Sequence, residues 1–175
     1  MRVLGIDPGL TRCGVGIVEG SPGKPLTPVF HGVIRTAASA HIGERLDEIA
    51  QLLADYIRAY RPDAIAVERV FSQVNVSTVM GTAQASGVAI LVGAQAKLPL
   101  STYTPSEVKA AVSGSGRADK KQVQTMVARI LRMSELPKPA DAADALAIAC
   151  CHIWRGGAKA KFDAAVIAAK AGIRQ

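Results

Sequence analysis

The chain has 175 residues, 49% of them apolar, and carries a formal charge of +7 with a pI near 9.6. That length suits one domain, and that apolar content excludes a disordered polymer in favour of a packed core. The basic excess favours a polyanionic partner, nucleic acid first, although charge alone leaves the partner open.

Residues 2–7 read as a short buried strand, which Asp7-Pro8-Gly9 turns off. Two further strands are expected at 15–18 and 29–34, joined through the turn-forming run Gly20-Ser21-Pro22-Gly23-Lys24-Pro25. Apolar residues at 42, 46, 49, 50, 53, 54 and 57 have a helical period, so a helix is expected over 42–60, stopped by Arg61-Pro62-Asp63. A fourth strand follows at 64–70, then a helix at 76–96 inside a stretch, Val70 to Ala96, that holds no charge. Ser, Thr, Asn and Gln interrupt that stretch, so it does not read as a membrane span. It suits burial, either in the core or against another subunit, and of the two a dimer interface is expected there.

A fifth strand is expected at 99–103 and a short helix from Thr104-Pro105 to Val112, followed by a flexible Ser113-Gly114-Ser115-Gly116 loop. Asp119 with Gln122 suggests a capping box opening a helix to about Met133. Pro137 and Pro139 separate it from a last core helix at about 140–155. Residues 1–155 are expected as one domain, with 156–175 a flexible or helical tail. Hairpin-length links imply antiparallel neighbours and helical crossovers parallel ones, which gives an α/β fold with a mixed five-stranded sheet and helices on both faces.

Cys13, Cys150 and Cys151 form no CxxC pair and no zinc-like Cys/His spacing. They are expected as reduced thiols in a cytoplasmic protein, and no secretory signal is evident at the N-terminus. His31, His41 and His152 also lack metal-like spacing and read as structural.

The carboxylates Asp7, Glu68, Asp141 and Asp144 carry the chemistry. Asp7 and Glu68 each close an apolar run, and if those strands are parallel neighbours the two acids meet at the strands' C-terminal edge, where open α/β sheets bind ligands. Asp141 and Asp144 are three apart, about 60° around a helix, and share a face. Blander roles exist: Asp7 as a turn residue, Asp141 as a cap. Glu68 is hardest to explain that way, because Glu is depleted from strands. Four converging acids need a hard divalent cation, and two such ions suit phosphodiester hydrolysis.

At these residues the chain resembles the RuvC-type Holliday junction resolvases, of the ribonuclease H-like fold. The resemblance runs in order through Gly5-Ile6-Asp7-Pro8-Gly9 with Gly14-Val15-Gly16, then Ile65-Ala66-Val67-Glu68-Arg69-Val70-Phe71. It continues at Ser106-Glu107-Val108-Lys109 and ends at Ala140-Asp141-Ala142-Ala143-Asp144-Ala145-Leu146-Ala147. It implies a metal-dependent homodimeric endonuclease that nicks two opposed strands of a four-way junction during recombination and repair. It also implies Mg²⁺, two per active site, with Mn²⁺ as a substitute, on Asp7, Glu68, Asp141 and Asp144.

The same resemblance places a base-contacting aromatic at Phe71 and phosphate-assisting bases at Lys109 and Lys120. RuvA and RuvB are the implied partners, and a short T-rich sequence the implied cleavage preference. Ser72 stands where some members have a second aromatic, and the uncharged helix lacks basic residues some relatives carry. Arg117 and Lys121 flank the Gly-rich loop and a helix start, and are candidate DNA contacts. Three rivals are weighed beside this reading. A sugar-kinase-like ATP site would need a second domain, a ribosomal-RNA nuclease would share the fold, and a non-catalytic junction binder would leave the acids without a role.

Overall fold

The computed structural model describes the backbone of residues 1–70 and 76–172, and the side chains of residues 1–70 and 78–157. Its sheet is built from β1 (Arg2–Asp7), β2 (Arg12–Glu19), β3 (Thr27–Arg35), β4 (Ala64–Glu68) and β5 (Leu100–Tyr103), in the order β3-β2-β1-β4-β5. The hairpin-linked pairs β1–β2 and β2–β3 are antiparallel, whereas β1–β4 and β4–β5 are parallel. The parallel pairs are those whose connections contain helices: α1 (Ile42–Tyr60) joins β3 to β4, and α2 (Val76–Gln95) joins β4 to β5. Three more helices follow, α3 (Pro105–Ser113), α4 (Lys120–Ile130) and α5 (Ala140–Gly172).

Strand alternation sorts the core into two layers. Leu4, Ile6, Ile65 and Val67 pack with Ile49 and Leu53 of α1 and Ala85, Ala89 and Val92 of α2. Val3, Ala66 and Tyr103 pack on the opposite face with α3, α4 and α5. Helices therefore cover both faces of the mixed sheet, as expected.

Glycine decides how closely α5 approaches. A Cβ on Gly5 would lie 2.2 Å from the Ala145 carbonyl oxygen, one on Gly14 2.1 Å from that of Asp141, and one on Gly16 2.5 Å from the Leu146 amide. The helix thus rests backbone to backbone on β1 and β2, which only residues without side chains permit.

Helix starts are fixed by side chains. Thr104 and Glu107 exchange hydrogen bonds across the first turn of α3, with Pro105 at its first position, and Asp119 accepts from the Gln122 amide at the start of α4. Gln122 gives no reciprocal bond among the described residues, so Asp119 is a simple N-cap rather than half of a box. The loop after α3 is tied down: Gly114 ends the helix at φ 78°, and the Ser113 hydroxyl donates to the Lys109 carbonyl and accepts from the Ser115 amide.

Several boundaries differ from the expectation. β2 and β3 are longer, because Gly14 and Gly16 mask a strand pattern that cross-strand pairing nonetheless completes. β4 stops at Glu68. α4 ends at Ile130, and α5 runs past 155 to Gly172. Gly156 and Gly157 look like a stop, but each costs only about 1 kcal/mol in a helix, and the Ala-rich segment beyond favours continuation.

Candidate active site

Asp7 and Glu68 owe their proximity to register. β1 and β4 pair in parallel with Ile6 opposite Val67, so the next residue of each strand is an acid, both at the C-terminal edge. Both share strand parity with the α5-facing positions: Asp7 follows Gly5 by two and pairs with Gly14, and Glu68 follows Ala66 by two. α5, seated on those glycines, brings its first turns over them, so Asp144 joins Asp7 and Glu68 in one cleft of about 290 Å³. Lys109 of α3 and Lys120 of α4 line the same cleft with Pro105, Val108, Val123 and Ala147. Three helices and two strands distant in sequence thus supply three acids and two cations to one space.

Burial and crowding disfavour the charged form of Asp7, Glu68 and Asp144. Desolvation raises Asp7 well above the ordinary aspartate range, and the charges of Glu68, Asp144 and Asp141 push it further. Glu68 is pushed up to about 7 by burial and by Asp144, against the opposing pull of Lys120 and Lys109. Asp144 is raised by burial while Lys120, 3.8 Å away, draws it back. Lys120 is otherwise open to solvent.

Asp141 does not line the cleft. It stands in the first turn of α5 and is held by Arg12 at the start of β2, whose Nε donates to Oδ2 at 2.7 Å and whose Nη2 pairs ionically with the same oxygen at 2.5 Å. Arg12 went unnoticed in the sequence, where one arginine after a turn reads as surface charge. Behind it, buried Arg45 of α1 donates to the hydroxyls of Thr36 and Thr11, and Thr36 donates to the Leu10 carbonyl. That brace fixes the loop between Asp7 and Arg12, and it too had no sequence signal.

Arg117 and Lys121 are exposed and do not line the cleft, although they flank its Lys120 corner. Phe71 and Ser72 lie outside the described residues. His152 is buried, hydrogen-bonded to the Tyr103 hydroxyl at 2.9 Å, and burial lowers its pKa. Burial drives the Cys13 and Cys150 thiols up to about 12, so both are inert at neutral pH.

The acids offer only oxygen donors, half-buried and unwilling to ionise together, which is the chemistry a hard divalent cation answers. Among the described residues no three His, Cys, Asp or Glu side chains are arranged to hold an ion as they stand. Two of the four acids instead face the chain's own cations, Arg12 and Lys120.

A mixed sheet in this order, with acids on β1, β4 and the helix across them, defines a ribonuclease H-like fold. The family model for crossover junction endodeoxyribonuclease RuvC matches residues 3–152, and the chain belongs to that family. It is 61% identical over 172 residues to the crossover junction endodeoxyribonuclease RuvC of Salinispora arenicola, covering 98% of each chain. To that of a Nocardioides species it is 62% identical over 174 residues, covering 99% of this chain and 98% of the other. Among solved structures it matches T. thermophilus RuvC in complex with a Holliday junction substrate, with TM-score 0.84 and 33% identity over 89% of this chain and 94% of the other. The yeast mitochondrial Holliday junction resolvase Ydc2 shares the fold at TM-score 0.64 and 14% identity.

Proposed function

We propose that the chain resolves four-way DNA junctions as a Mg²⁺-dependent endodeoxyribonuclease, using Asp7, Glu68, Asp141 and Asp144 as metal ligands. The observation that carries this is the cleft itself, in which Asp7, Glu68 and Asp144 face Lys109 and Lys120 in a chain of the RuvC family. Bound there, two Mg²⁺ ions, or Mn²⁺ in their place, would activate a water and stabilise the leaving 3′ oxygen of a phosphodiester.

The protein's part is to bind and orient. Lys109 approaches from α3 and Lys120 from the start of α4, both positioned to offset charge on the attacked phosphate. Arg117 and Lys121, exposed beside them, neutralise neighbouring backbone phosphates and add affinity. Phe71, three residues beyond Glu68, stacks on a base near the junction.

Nicking two opposed strands calls for two copies of the site, so the working form is a homodimer. α2 supports this reading: its inner residues Ala85, Ala89 and Val92 are buried, whereas Met80, Ile90 and Leu91 are 67%, 39% and 56% exposed. Uncharged, apolar and uncovered in one chain, that outer stripe suits a second copy. Residues 1–155 form the nuclease domain and 156–175 an appended tail. The protein works in the cytoplasm with RuvA and RuvB; among the described residues no helix is long and apolar enough to cross a membrane.

Incubation with a synthetic four-way junction and Mg²⁺ tests the reading. Paired nicks at symmetric positions, absent with linear duplex, structured RNA or EDTA, are expected. Intact junctions, or equal cutting of linear duplex, would contradict it.

A further inference from the structure

Asp141 is set by its place in the fold beside the other acids, yet its carboxylate is turned to Arg12 rather than to the cleft. Nε donates to Oδ2 and Nη2 pairs with the same oxygen, so the hydrogen bond is charge-assisted and the carboxylate is held toward Arg12. The pair does not bury Arg12, whose side chain is 40% exposed. Arg12 also lines a second groove, of about 320 Å³, together with Gly9, Leu10, Thr11, Thr78, Gly81 and Thr82. That groove offers the guanidinium room to turn, and a guanidinium pairs with phosphate as readily as with carboxylate.

We infer that Arg12 is a built-in counter-cation for Asp141, which competes with the divalent ion until a DNA phosphate in the adjoining groove draws it away. Without DNA, Arg12 neutralises one acid and repels an incoming cation, so metal binding is weakened. With DNA, phosphate takes Arg12, Asp141 is released to the ion, and loading is coupled to the presence of substrate. Arg12 is thus a positioning residue, and this role rests on the metal reading given above.

The test is Mn²⁺ binding to the DNA-free protein by calorimetry, in the wild type, Arg12→Ala and Arg12→Gln, with folding checked by circular dichroism. Removing a unit positive charge a few ångströms from a divalent ion should tighten Mn²⁺ binding by about tenfold, even with strong solvent screening. The variants should also melt at lower temperature in EDTA, yet gain more from Mn²⁺ than the wild type does. A four-way junction should tighten Mn²⁺ binding in the wild type more than in either variant. A residue that merely holds Asp141 in place for the metal predicts the reverse, weaker Mn²⁺ binding and a smaller thermal gain. Variants that bind Mn²⁺ no more tightly than the wild type would overturn the inference. If neither wild type nor variants bind Mn²⁺, the metal reading falls and this one with it.

Discussion

Glu68 shows what the cleft does to a single side chain. Its carboxyl titrates near 7 in the folded protein against 4.5 ordinarily, because burial and Asp144 disfavour its charge. Between those values the native state holds a proton that the unfolded chain has released, so stability falls as pH rises through this window and is flat above it. Glu68→Gln, which cannot ionise, removes that loss. In EDTA, thermal melts from pH 5 to pH 8 should show the wild type losing stability relative to Glu68→Gln, and Mg²⁺ should close the gap. A constant difference across the range would remove the crowding argument. The two lysines are tested by rate rather than by titration. Lys109→Ala and Lys120→Ala should each slow single-turnover cleavage under saturating enzyme by about 10²-fold, with junction affinity little changed. Restoration of the full rate by excess enzyme would make them DNA holders only.

Among the elements, the packing of α5 on glycine is the most sensitive feature. Gly14→Ala puts a methyl 2.1 Å from the Asp141 carbonyl oxygen, and neither backbone can yield without moving the helix. The variant should lose about 2 kcal/mol or more in urea denaturation, while Gly157→Ala, whose Cβ meets nothing within 4 Å, should lose none. Equal stability of the two would mean that α5 is not held by this contact.

The same glycines explain why some of the fold was legible in the sequence and some was not. A helical period placed α1, while apolar runs, caps and turn residues placed the other elements, because burial and chain reversal each leave their own residue types. The ends of β2 were obscured because glycine carries no hydrophobic signal, and the end of α5 because two glycines imitate a stop. Asp7 and Glu68 stood out as acids closing apolar runs, and strand order made them neighbours. Arg12 and the Arg45–Thr36–Thr11 brace depend on contacts between residues distant in sequence, and no spacing announces such pairs.

For the whole molecule, the uncovered stripe on α2 and the acid cleft carry the account. Ala83 is exposed on the same side as Met80 and Leu91. Ala83→Asp or Leu91→Asp should shift the protein to monomer in sedimentation, because an unpaired charge buried in an interface costs several kcal/mol. Both variants remaining dimeric would place the interface elsewhere. The central claim is that the acids act through metal chemistry on a bound junction, rather than in binding it. Asp7→Asn tests this most directly, since it removes an oxygen charge from the cleft while preserving shape. With a synthetic four-way junction and Mg²⁺, junction affinity should stay close to that of the wild type, because the basic groups around the cleft are unchanged, while cleavage should fall by at least about 10³-fold. Cleavage at the wild-type rate by Asp7→Asn would contradict it.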